Sequence, residues 1–335
     1  MLFKRFMKTS LFKSVLVTAI AVTSFNVHAA AADDYPNKPI NLVVGFGVGG
    51  SADRMTRAMS TFLADELGEP LKIINKKGAA TQIAANYVLK RPGDGYTVFA
   101  STFAPYLAST VLNGNASYTI DDFTYINFQW FDFDLIAVNK DTKYKSLTEL
   151  LETIKKYPKK VKASVVQGSA GHLMLRLLLE KHNIPQQNLS LVTYNGGGKA
   201  RAAVAGGQVD MIAISAQGSE GIREFLRPLA VVRDERSDKW DAPTINDALK
   251  SSNITVPVLP GSMRGFAVST EFKQKYPERF NKLSLAIQNT LARKDVQKFL
   301  KRSNIGGVWV GPEKSKQLME SNFSAFKKYA YLMKD

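Results

Sequence analysis

The chain has no cysteine in its 335 residues. That excludes disulfides, thiol nucleophiles, cysteine-ligated metals and a lipid anchor on an N-terminal cysteine. A core must hold the molecule together, and a chain of this length can bury enough surface to do so. Histidine is nearly as scarce, with only His28, His172 and His182. A zinc site or a serine–histidine–acid triad has few parts to draw on. Acidic residues are missing from the first 32 positions, and no apolar run beyond that region approaches membrane-spanning length. There is no low-complexity stretch and no flexible interdomain linker.

What is present begins with a leader. Lys4, Arg5, Lys8 and Lys13 precede an apolar run over residues 14–22, and Val27 and Ala29 suit a small-residue cleavage site. The pattern predicts a signal peptide over residues 1–29 and an exported globular protein after it. The formal charge is +16, and removing the four basic leader residues leaves +12. A field of that sign keeps a protein soluble and draws in anions. The lysines are scattered through predicted helices, without the aromatic interleaving of a nucleic-acid module, so no nucleic-acid partner is expected.

After the leader, strands and helices alternate. Strands are predicted over residues 40–44, 71–74, 96–100, 135–139, 162–166, 189–193, 209–214 and 229–232, with helices over 52–67, 82–90, 146–157, 173–181 and 199–205. Ser51 reads as the N-cap of the first helix. The C-terminal third reads as helical, over 280–293, 295–303 and 313–332. Such alternation predicts sheets with helices on their faces. Two α/β lobes joined by strands are the economical arrangement: residues 33–134 plus 257–335, and residues 135–256.

Several strands end in small polar loops. Gly45-Phe-Gly-Val-Gly-Gly50 follows a strand and opens a helix, the setting of a dinucleotide fingerprint. The next strand, however, ends in Asn75-Lys-Lys77, with no acid for a ribose hydroxyl. The same glycines suit any anion that needs bare backbone N–H groups at a helix N-terminus. Asp53 lies in that first turn, where it either complements the helix dipole or faces a ligand. Gln167-Gly-Ser-Ala-Gly-His172 repeats the setting, and its adjacent Gly168 and Ser169 do not make a nucleophile elbow. The loops at residues 194–198 and 215–219 complete a set at the carboxyl ends of strands, where α/β folds place ligands.

Eight segments in order resemble the Bug-type periplasmic solute-binding receptors of tripartite tricarboxylate transporters. They include Tyr35-Pro-x-Lys-Pro-Ile40, Phe46-x-x-Gly-Gly-x-x-Asp53, Asn75-Lys-Lys-Gly-Ala79 and Pro92-Gly-Asp-Gly-Tyr96. The series continues with Gly168-Ser-x-x-His-Leu173, Tyr194-x-Gly-Gly197, Gly207-Gln-Val-Asp210 and Leu229-Ala-Val231. Gly45 and Gly47 depart from the family by standing where prolines are usual. The resemblance implies a two-lobed α/β Venus flytrap, each lobe a mostly parallel sheet flanked by helices, with two crossover strands. It implies a monomer without cofactor, metal or catalysis that closes on a small carboxylate and passes it to membrane permease subunits.

On this resemblance the carboxylate is held by backbone N–H groups of two loops, not by a charged clamp. Expected ligand contacts are Phe46, Val48, Gly49, Gly50, Ser51 and Asp53 in the first loop and Gly168, Ser169, Gly171 and His172 in the second. Thr81, Thr102, Asn195 and Ser215 line the remainder. Gly50 is expected to need a conformation closed to valine, and Arg54 to act only through the long-range field. An orphan receptor feeding a signalling partner and an exported α/β hydrolase using Ser51 or Ser169 are the alternatives.

Overall fold

The computed structural model describes residues 34–114 and 116–334. The expected leader, residues 1–29, lies outside them. Ten strands run in chain order: β1 (Ile40–Val44), β2 (Leu71–Asn75), β3 (Thr97–Ala104), β4 (Phe123–Phe131), β5 (Asp134–Asn139), β6 (Lys162–Val166), β7 (Ser190–Tyr194), β8 (Met211–Ser215), β9 (Leu226–Val231) and β10 (Met263–Ser269). Helices α1 (Ser51–Leu67), α2 (Gln82–Leu89) and α3 (Tyr106–Leu112) belong to the first part of the chain. The middle adds α4 (Leu147–Lys156), α5 (Ala170–Lys181), α6 (Gly197–Ala205) and α7 (Ile245–Ala248). The end adds α8 (Thr270–Lys275), α9 (Pro277–Ala292), α10 (Lys294–Arg302) and α11 (Gly311–Lys327).

Local chemistry explains these elements. Met55, Met59 and Leu63 recur at helical spacing and give α1 its buried face, while Gly68 ends the helix in the left-handed conformation at φ 74°. Ser146 caps α4, accepting a hydrogen bond from Glu149 N at 3.1 Å. The central strands β1 and β8 are nearly continuous runs of buried apolar residues, and β3 and β5 are buried along almost their whole length, as strands covered on both faces must be.

The strands form two five-stranded sheets, ordered β2-β1-β3-β10-β4 and β7-β6-β8-β5-β9. In each, four strands point one way and the fifth, β10 or β5, is reversed. The sheets are therefore mixed, with parallelism confined to the direction of four strands. The reason is the crossover. The chain leaves β4 at the end facing the other sheet and enters that sheet as β5, so it must run back through it. It returns from β9 to the first sheet as β10 by the same logic. The two crossovers touch: Asp132 N donates to Ser262 O at 3.0 Å, and a Cβ on Gly261 would overlap Asp132 O.

Strands β4 and β10 and helices α3, α7 and α8 are absent from the pattern predicted above, and β10 interrupts the expected all-helical C-terminal third. Its pairing with β3 and β4 puts it inside the first sheet. Helix α11 packs on β4, and beyond it Tyr331 donates to Glu180 of α5 at 2.8 Å. The end of the chain thus touches elements of both sheets. No described helix is long and apolar enough to cross a membrane.

Candidate functional site

The loops after β1, β6, β7 and β8 converge with the crossovers on a cavity of about 450 Å³. The β1–α1 loop supplies Phe46, Val48, Gly50 and Ser51, and the other predicted contacts at its wall are Thr102, Ser169, Asn195 and Ser215. The remaining six predicted residues stand elsewhere. Asp53 turns away from the cavity and ties its own loop: it accepts hydrogen bonds from Gly49 N, Arg57 Nε and Asn75 Nδ2, each at 2.9 Å. Burial alone would raise its pKa, but those three donors overcome it and hold the carboxyl below its ordinary value. Gly49, at φ 81°, shapes the loop without lining the wall.

Thr81 is buried behind the first loop, with its hydroxyl 3.2 Å from Ser101 Oγ, and a Cβ on Gly45 would overlap it. Gly168, at φ 74°, packs against Ala80 and Ser109 and accepts from Ser109 Oγ at 2.8 Å. Gly171 and His172 lie in the first turn of α5. The glycine lets the helix approach Ala213 O, and His172 N donates to the capping Ser169 Oγ at 3.0 Å. Two further expectations change. Gly50, not Ser51, caps α1, and at φ −67° and ψ 164° it is in a conformation open to any residue. Ser51 opens the helix and accepts from Arg264 Nε at 2.9 Å.

The floor is the larger departure, because it is charged. Arg201 of α6 and Arg264 of β10 line it, with Tyr106, Asp134 and Ser262. Arg201 donates through Nη2 to Ser215 Oγ at 2.8 Å and through Nε to Ser219 Oγ at 2.9 Å. Arg264 Nη2 reaches the same Ser215 Oγ at 3.0 Å, so one hydroxyl joins two guanidiniums. Arg264 also stacks over the Trp130 ring, 4.5 Å from its centroid, and lies 3.5 Å from Asp132 Oδ2. Trp130 Nε1 in turn donates to Gln217 Oε1 at 2.9 Å. Arg54 lies outside the lining, 5.7 Å from the centroid of that same ring.

Asp132 and Asp134, two residues apart, are held differently. Asp132 accepts from Gln217 N at 2.9 Å and Gly218 N at 3.1 Å besides facing Arg264. Asp134 Oδ2 is buried and has no hydrogen-bond partner among the described residues, and neither has Arg264 Nη1. Burial, with Asp132 nearby, pushes the Asp134 carboxyl up to about 7, against the pull of Arg264 and Arg201. Burial and then repulsion from Arg264 lower Arg201 to about 10, so it stays a cation at neutral pH. Burial lowers Arg264 as well and raises the Tyr106 phenol, which remains protonated.

At the mouth stand Lys77 and Lys199, both exposed, and Val48, which is 75% exposed. Four cationic side chains and one carboxyl line this space, and the excess fits an anion. Among the described residues no group of three or more histidine and acid side chains could hold a metal ion. Strand patterning does not single out the floor, yet a signal was there. Arg264 sits inside Met263-Arg-Gly-Phe-Ala-Val268, and Asp134 opens Asp134-Leu-Ile-Ala-Val138. A charge in a strand buried on both faces needs a partner or a use.

Two α/β sheets, a double crossover and an anion-receptive cavity between them define a two-lobed binding protein. The chain belongs to the tripartite tricarboxylate transporter family receptors, whose model matches residues 55–330. It is 30% identical to the protein BugT of Bordetella pertussis over 225 residues, covering 64% of this chain and 67% of that one. Among solved structures, MatC from Rhodopseudomonas palustris with bound malate shares 22% identity at a TM-score of 0.76, covering 88% of this chain and all of that one. A second R. palustris protein, with adipate, shares 23% identity at 0.72, covering 90% and 98%.

Proposed function

We propose that the protein is a periplasmic receptor that captures a small carboxylate between its two lobes and delivers it to a tripartite tricarboxylate-type permease. Mono-, di- and tricarboxylates, aromatic ones included, are the candidate ligands. The lobes would be residues 33–134 with 257–335 and residues 135–256, released as a soluble monomer by removal of residues 1–29. The receptor binds and releases without chemistry: Ser51 and Ser169, the serines of the hydrolase alternative, are engaged with Arg264 Nε and with His172 N.

One observation carries the reading. Arg264 is 1% exposed, lines the cavity and leaves Nη1 without a partner among the described residues. A buried guanidinium with an unused donor is costly, and a ligand carboxylate relieves the cost through charge-assisted hydrogen bonds. Arg201 and the Tyr106 hydroxyl offer further donors on the same floor. Malate in MatC and adipate in the second R. palustris protein are consistent with a carboxylate in this fold. The test is a thermal-shift and calorimetric screen of mono-, di- and tricarboxylates against neutral amides of the same skeletons. Binding by acids and none by amides is expected. Equal binding of both would overturn it.

A further inference from the structure

We propose that Asp134 forms a second polar subsite, which selects carboxylates carrying a hydrogen-bond donor, an ammonium or a hydroxyl group. The inference rests on the carboxylate reading above and adds a requirement to it. Asp134 is 3% exposed and lines the cavity, and its buried Oδ2 has no hydrogen-bond partner among the described residues. Its neighbours have not used it. Arg201 and Arg264 spend donors on Ser215, which pairs directly across from Asp134 in the β5–β8 ladder, and no ion pair joins either arginine to Asp134 within 4.0 Å. Asp132 shows what a purely structural carboxyl looks like here, with its oxygens taken by Gln217 N, Gly218 N and Arg264.

The floor therefore offers two unspent groups of opposite kind, Arg264 Nη1 and Asp134 Oδ2. An acid with a nearby donor answers both; a plain acid answers one and leaves a buried carboxyl unpaired, which is costly. The carboxyl suits either donor. Raised to about 7, it ionises readily against an ammonium group and can stay protonated beside a hydroxyl.

The experiment is calorimetry on matched sets: succinate, malate and aspartate; glutarate, 2-hydroxyglutarate and glutamate; adipate, 2-hydroxyadipate and 2-aminoadipate; propionate, lactate and alanine. In any set that binds, a substituted member should bind about tenfold or more tightly than the plain acid. The hydroxy and amino arms tell which donor is read. Asp134→Leu should bring the members within about twofold of one another while the plain acid still binds, and Asp134→Asn should narrow the gap if the leucine variant fails to fold. A plain acid that binds as well as its partners overturns the proposal, as does a preference that survives both substitutions. So does a folded Asp134→Leu that binds nothing, because Asp134 would then be holding the arginines. If no member of any set binds the native protein, and no tricarboxylate or aromatic acid of the screen above does either, the carboxylate reading itself falls.

Discussion

At the scale of the residue, the pocket is governed by groups whose hydrogen bonds are incomplete. Arginine suits the floor because its planar fork can donate to Ser215 on one side and keep another N–H for a ligand. Asp134 carries a consequence for stability. Its folded pKa of about 7 exceeds its ordinary value of 3.8. Below about 4 its contribution is fully present, and stability is lost as pH rises from there through about 7. Of the groups around it, Arg201, Arg264 and Tyr106 keep their charge states across that window. Asp134→Asn should therefore melt above the native protein at pH 8, and the advantage should shrink or reverse at pH 5. Melting curves at both pH values check this, and an advantage independent of pH would contradict it.

At the scale of the element, much was legible. Strands β1 and β6 fall on the predicted residues, because a short buried parallel strand is a run of apolar residues bounded by loops. The glycine loops followed from the same punctuation, and eight of the fourteen contacts expected from the resemblance lie on the cavity wall. Strand β4 was hidden because its Asn127 and Gln129 find partners only in the tertiary fold. Asn127 Oδ1 accepts from Val310 N and Gly311 N, and Gln129 Nε2 donates to Gly306 O. Strand β10 was hidden by Gly265, which admits Asn127 O, and by Arg264, whose partners come from α1, β8 and the first crossover. The floor was missed with the strands that carry it.

The β1–α1 loop gives the prediction for this scale. Asp53 braces it from behind, so Asp53→Asn should lower the melting temperature and weaken carboxylate binding by about tenfold at most, the worth of one loosened set of hydrogen bonds. Calorimetry and amide exchange at Gly49 and Gly50 would show both effects. Complete loss of binding with an unchanged melt would place Asp53 on the ligand instead.

At the scale of the whole molecule, the site lies where the chain passes twice between its sheets. Asp132 and Asp134 come with the first crossover, Ser262 and Arg264 with the second, and Arg201 and Ser215 from the second sheet. A ligand on this floor would touch both lobes and both connections at once. The basic surface adds a long-range attraction for anions without fixing their identity. What holds the ligand separates this account from one in which glycine-loop amides alone do so. Calorimetry with the tightest carboxylate of the screen on Arg264→Gln and Gly50→Ala compares the two. Asp132 keeps Gln217 N and Gly218 N when Arg264 is replaced, and Gly50 already has a backbone that alanine adopts, its added Cβ 3.3 Å from Gly47 O and accommodated by a shift of a few tenths of an ångström in the loop, so both variants should fold. The account predicts a loss of about a hundredfold or more for Arg264→Gln, as expected for truncating one partner of a buried charge pair, and a change within about threefold for Gly50→Ala. Native affinity in Arg264→Gln, with binding lost in Gly50→Ala, would contradict it.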